Sequence, residues 1–240
     1  MHCEFSETQF MFGIMRDLAN KCYRSGKGWE APFFPTQREE KDLGYDTVIR
    51  GPVKSIFFQF KVPEKKTMAN SKYWHEMGGA YFEIKIWPDA VSPQHNTLRD
   101  LAGKDPRNKV FYCAPRFHKT YEYDDNFRKE TIAQNSVYIL CGSLKPIAGN
   151  DAHNICYTTD PHRAPVMHSE PREAKSFTLQ ELEWDLEKTP AYQNAMECLS
   201  AVAERFSIEV QDRQNAHHMY REIAEYLLIN ENIVFVLMEQ

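Results

Sequence analysis

The sequence of 240 residues predicts an α/β fold, and three observations carry that prediction. Short runs in which apolar residues dominate or alternate recur at 55–62, 81–87, 109–114, 136–141 and 153–158. Segments with apolar residues three and four apart stand before, between and after them, and Gly, Pro and Asn mark many of the junctions. Alternation by two belongs to strands and spacing by three or four to helices, so their interleaving implies a sheet with helices packed on it.

The first helix is expected from Ser6 to about Tyr23, with Phe10, Met11, Ile14, Met15, Leu18 and Cys22 on one face. Ser6 followed by Gln9 has the form of a capping box. The Gly28 region lacks the strand-to-helix setting of a phosphate-cradling loop. Strands are expected at 46–50 and 55–62, joined as a hairpin through Arg50-Gly51-Pro52. Met68 to Met77 reads as a short helix closed by Gly78-Gly79, and 81–87 as a strand. Ser92-Pro93 starts a helix carrying Leu98, Leu101 and Ala102. Strands at 109–114 and 136–141 flank a short helix at 125–133, and a further strand follows at 153–158. Pro161 to Arg172 reads as a connector. Beyond it Thr178 and Glu181 form a capping box, Thr189-Pro190 starts a second helix, and 216–228 is a third. The run 233–238 is apolar throughout, so its period does not distinguish helix from strand, but it must be buried. The expected organisation is an α/β domain over 1–165 and a helical C-terminal extension over 170–240 packed on the same core.

Composition narrows the function classes. At 42% hydrophobic and 26% charged residues, the chain has the make-up of a soluble globular protein of cytoplasmic type, with no run of about 20 apolar residues to span a membrane. Six scattered cysteines, with no Cys-x-x-Cys pair, read as buried reduced thiols. His217-His218 are adjacent and so diverge on a helix, which makes a poor metal pair. A net charge of −5 argues against a surface that coats nucleic acid. A local basic groove remains open to Lys61, Lys65, Lys66, Arg107, Lys109, Arg116 and Lys119, although solvated loop charge explains them equally well.

The strand Ile56-Phe57-Phe58-Gln59-Phe60-Lys61-Val62 is the chemical focus. Phe57, Gln59 and Lys61 share one of its faces, which puts an amide and an ammonium into an apolar strand. Burying such groups without partners costs on the order of several kcal/mol, which asks for a reason. An acid at Asp46 on the hairpin neighbour would converge with them at one end of the sheet. Asp46 and the Gln59 amide oxygen would then hold a divalent cation, and Lys61 would steady phosphate charge. Magnesium, or manganese in its place, suits such hard oxygen ligands.

Asp46 followed by Gln59-x-Lys61 resembles the signature of the PD-(D/E)XK phosphodiesterase superfamily, in the variant with glutamine in place of the second acid found in Mrr-like nucleases. The resemblance covers roughly 6–115 and implies a mixed central sheet flanked by helices, a restriction endonuclease-like core. It also implies magnesium-dependent endonuclease activity on nucleic acid, DNA first, of restriction or antiviral defence type. Family members add an acid from the first helix, a role for which Glu7 and Glu40 compete. Glu83-x-Lys85 is a second candidate motif with the consensus acid, but it lacks an aspartate on a hairpin neighbour. A different class is also open: a non-catalytic protein on the same scaffold, acting through a homodimer or a protein partner, for which the apolar 233–238 run would supply the interface.

The remaining candidates have simpler readings. Cys113 and His118 would suit a thiol nucleophile and its base, yet Cys113 sits in an apolar strand. Trp74, Tyr81, Phe82 and Trp87 would stack bases or fill a core. His95 and Arg99, one helical turn apart, would face phosphate or simply solvent.

Overall fold

All eight residues of β1 (Val53–Phe60), VKSIFFQF, are buried, which requires cover on both faces and pairing on both edges. The computed structural model, which describes residues 1–24, 52–147, 152–168 and 172–239, meets both requirements. Along one edge β4 (Asn108–Pro115) runs parallel to β1, from Ser55 opposite Asn108 to Phe60 opposite Cys113. Along the other, β10 (Val234–Glu239) runs antiparallel, from Val53 opposite Glu239 to Phe58 opposite Val234. Adding β5 (Ser136–Leu140) and β9 (Ser176–Phe177) gives a mixed five-stranded sheet in the order β10-β1-β4-β5-β9.

Period-two alternation divides the core between the two faces of this sheet. Phe58, Phe60, Phe111, Tyr138 and Val236 pack on one side with α1 (Glu7–Arg24) and α4 (Leu179–Lys188), through Phe10, Ile14, Leu182 and Leu186. Val53, Phe57, Val110, Tyr112 and Phe235 pack on the other with α2 (Gln94–Lys104), α5 (Ala195–Phe206) and α6 (Ala216–Glu231). The second face also receives Phe82, Ile84 and Tyr157 from a five-stranded antiparallel sheet, β2 (Glu64–Lys66), β3 (Tyr81–Ile86), β6 (His153–Tyr157), β7 (Val166–His168) and β8 (Arg172–Glu173). The Tyr157 hydroxyl donates to the Pro115 carbonyl at 2.8 Å, which fastens this sheet to the carboxyl end of β4. Among the described residues no helix is long and apolar enough to cross a membrane.

The α/β class is therefore what the sequence predicts, but the strands divide between two sheets. Both capping boxes form as expected: the Ser6 hydroxyl and the Gln9 side chain bond each other's backbone N–H, as do those of Thr178 and Glu181. Several expectations are corrected. Residues 68–77 form consecutive turns ended by Gly78 at φ +66° and Gly79 at φ +139°, where left-handed backbone favours glycine. α3 (Thr120–Lys129) starts earlier than its apolar spacing suggested. The expected connector at 161–172 contains β7, and Asn194 caps α5 in place of Thr189-Pro190. The run 233–238, whose period left helix and strand open, forms β10, an end strand of the main sheet with buried side chains, and the segment from 172 on contributes β9 and β10 to that sheet as well as three helices.

The hairpin expectation also changes. With β10 and β4 on its two edges, β1 offers no free edge between Val53 and Phe58 to a partner strand. The 46–50 segment itself lies outside the described residues.

Candidate functional site

The parallel pair β1 and β4 ends at Phe60 and Cys113, and the Lys61 N–H extends the ladder by donating to the Cys113 carbonyl at 3.0 Å. A helical crossover is needed to make neighbouring strands parallel, and α2 lies between them in sequence. Gln59 lies opposite Tyr112 and is fully buried. Its Nε2 donates to the Phe60 carbonyl at 3.3 Å, while its Oε1 has no partner. Lys61 lies at the edge of a cavity of about 10 Å³ that Lys85, Trp87, Gln94, His95 and Tyr112 also line.

The chemistry of this lining follows from its burial. His95 Nε2 lies 2.9 Å from the Lys145 carbonyl and Nδ1 lies 3.0 Å from the Tyr112 hydroxyl. A carbonyl only accepts, so Nε2 carries the proton. Burial pushes the His95 pKa down to about 4, so near neutrality the ring is uncharged and Nδ1 accepts from Tyr112. Burial raises the Tyr112 phenol, which stays protonated. The cations at the cavity are therefore Lys61 and Lys85, with Lys85 Nζ 3.8 Å from the Trp87 ring centre and Trp87 itself 49% exposed.

The expected site residues are dispersed in a definite way. Gln59 stands near the carboxyl end of β1 and Lys61 directly follows that strand, but Lys61 lines the cavity and Gln59 does not. Asp46 and Glu40 lie outside the described residues. Glu7 belongs to α1, whose Phe10 and Ile14 pack on the sheet face opposite Phe57; its Oε1 accepts from Asn232 Nδ2 at 3.2 Å. In the second motif Glu83 is 3.4 Å from Lys66, whereas Lys85 joins the Lys61 cavity. Sequence reasoning missed the meeting of Lys61, Lys85, Gln94 and Tyr112, for which local spacing carries no signal.

The other candidates resolve into structure. Arg99 Nε donates to the Leu144 carbonyl at 2.6 Å, so neither it nor His95 waits for phosphate. Cys113 is fully buried, with its thiol pKa pushed well up by burial, and is a core residue. Tyr81 and Phe82 are core as well and Trp74 is half-buried, so Trp87 is the exposed member of that group of four. Of the seven groove cations, Lys66, Arg107, Lys109 and Lys119 are held by carboxylates at 2.6 to 2.8 Å. Lys61, Lys65 and Arg116 have no carboxylate partner among the described residues.

An unpartnered, buried amide oxygen is a fitting neutral ligand for a hard cation. Among the described residues no group of three or more His, Cys, Asp or Glu side chains is placed to hold a metal ion. Carboxylates from outside the described residues would have to complete such a site. No protein-family model, curated protein or solved structure matches the chain.

Proposed function

We propose that the carboxyl end of β1 belongs to a metal-dependent nuclease of restriction or defence type, built on a restriction endonuclease-like core. The observation that carries this reading is the buried Oε1 of Gln59, without a partner, two residues before Lys61, which has no carboxylate partner among the described residues and follows the end of a parallel strand pair. Ligand sites in open α/β sheets favour that carboxyl edge. In this reading Gln59 and Asp46 hold magnesium or manganese, which when bound polarises the phosphate and supplies an activated water. Lys61 and Lys85 bind the phosphodiester and stabilise its developing charge. Trp87 offers an exposed ring beside them for a base of the nucleic acid, DNA in the first instance.

The test is cleavage of single- and double-stranded DNA with Mg²⁺ or Mn²⁺ by the wild type and by Asp46→Ala and Lys61→Ala. Loss of cleavage in both variants, with unchanged circular dichroism, supports the reading. Cleavage equal to wild type in both refutes it.

One observation favours a second, non-catalytic reading: the cavity of about 10 Å³ has room for a single water, not a phosphodiester. An interaction protein on this scaffold needs no larger opening. The apolar side chains of 233–237 are buried, so they offer that alternative no apolar patch, but β10 is the end strand of the main sheet and its outer edge is paired with no strand among the described residues. Manganese separates the two readings, since an ion bound to the native state raises the melting temperature. No rise, together with a concentration-dependent oligomer, favours the interaction protein.

A further inference from the structure

A larger cavity, about 400 Å³, opens beyond the carboxyl end of β4 and is lined by Arg116, Phe117, Tyr121, Glu122, Asp125 and Gln134 among others. Its size falls within the range of small-molecule sites. Arg116 directly follows β4, and one end of its guanidinium is committed: Nη1 donates to the carbonyls of Thr158 and Asp160. The other edge, Nε and Nη2, is buried and makes no hydrogen bond. Burial lowers the Arg116 pKa, but an arginine keeps its charge at neutral pH. Nε and Nη2 together form the fork that receives the two oxygens of a carboxylate or phosphate.

The acids lining the cavity decide which oxyanion suits it. Asp125 is paired with Lys129 at 2.7 Å. Glu122 Oε2 accepts the backbone N–H groups of His118 and Lys119 at 3.0 and 2.9 Å, and Oε1 makes no hydrogen bond. With Asp125 already paired, Arg116 and Glu122 leave one cation and one anion in the lining, which disfavours a dianion such as a phosphate monoester. A ligand carrying one carboxylate and an amino group matches both ends, because Glu122 Oε1 accepts what the amine donates. We propose that this cavity binds a small amino-bearing carboxylate, of the size and chemistry of a free amino acid, on Arg116 and Glu122.

The experiment is calorimetric titration of the full chain with each common amino acid, and with acetate and inorganic phosphate at matched ionic strength. At least one amino acid is expected to bind saturably, and more tightly than acetate or phosphate. Arg116→Lys, which keeps the charge but loses the fork, should weaken it about tenfold, the worth of one charge-assisted hydrogen bond. Tyr121→Ala, at a 70% exposed position that folding does not depend on, should also weaken it. No saturable heat with any amino acid overturns the proposal, as does wild-type affinity in both variants. Phosphate binding as tightly as the best amino acid overturns the assignment of the amine.

Discussion

Replacing Gln59 with methionine tests whether its amide is kept for function. The two side chains are similar in length, so the main change is the loss of two polar atoms. One of these, Oε1, is buried without a partner, a condition that costs about 1–3 kcal/mol. The other, Nε2, donates to the Phe60 carbonyl at 3.3 Å, a long bond with a net worth of about 0.5–1.5 kcal/mol. The difference favours methionine by about 1 kcal/mol, or roughly 2–4 °C in melting temperature for a chain of this size. Calorimetric melting in EDTA should therefore show Gln59→Met above wild type, and added manganese should raise the wild type alone. A variant destabilised by 1 kcal/mol or more would mean that Oε1 is satisfied in solution. Equal manganese shifts in both proteins would mean that Gln59 is not a ligand.

Three further predictions follow from the described geometry. Burial holds His95 near pKa 4 in the fold against 6.5 in the unfolded chain, so its contribution is intact above pH 6.5 and is lost as pH falls toward 4. The loss amounts to about 3 kcal/mol by linkage, and urea unfolding from pH 7 to 4 should show a shallower decline in His95→Gln; equal slopes would contradict this. At Gly13 an added Cβ would lie 2.4 Å from Ile132 Cδ1, so Gly13→Ala should lose about 1 kcal/mol net in urea unfolding despite the helix propensity gained, and a more stable variant would refute the clash. Trp87→Ala, at an exposed ring, should leave stability within about 0.5 kcal/mol while weakening single-stranded DNA binding in a filter or fluorescence assay; unchanged binding would remove the ring from the site.

The parts of the fold legible in the sequence are those fixed by near neighbours. Ser6 with Gln9 and Thr178 with Glu181 satisfy backbone N–H groups three residues away, so their pattern and their geometry coincide. Strands 81–86 and 108–115 announce themselves by alternation or by an apolar run between turn residues. Pairing partners are not local in this sense. That β10 would lie against β1 depends on contacts across about 180 residues, and nothing in 233–238 distinguishes a core strand from an interface. The same limit produced the hairpin expectation: a turn at 50–52 is visible, but the occupation of both β1 edges by distant strands is not. Likewise, the stacking of Phe57 on Phe235 at 4.8 Å fixes a register that no spacing encodes.

For the site, a polar residue in an apolar strand proved a necessary signal but not a sufficient one. β1 holds three such residues, each buried to at least 98%: Lys54, Ser55 and Gln59. Lys54 Nζ donates to the carbonyls of Leu186 and Glu187, where it favourably meets the negative end of α4. Ser55 Oγ donates to Asn108 Oδ1 at 2.6 Å, tying β1 to the start of β4. Both satisfy structural needs, and burial alone would have marked them as strongly as Gln59. What separates Gln59 is a buried acceptor without a partner near the end of a strand pair, two residues before Lys61, which lines a cavity with Lys85. Since a buried, unsatisfied oxygen lowers stability, its retention at that place has a physical explanation if a cation or donor completes it, and none from packing.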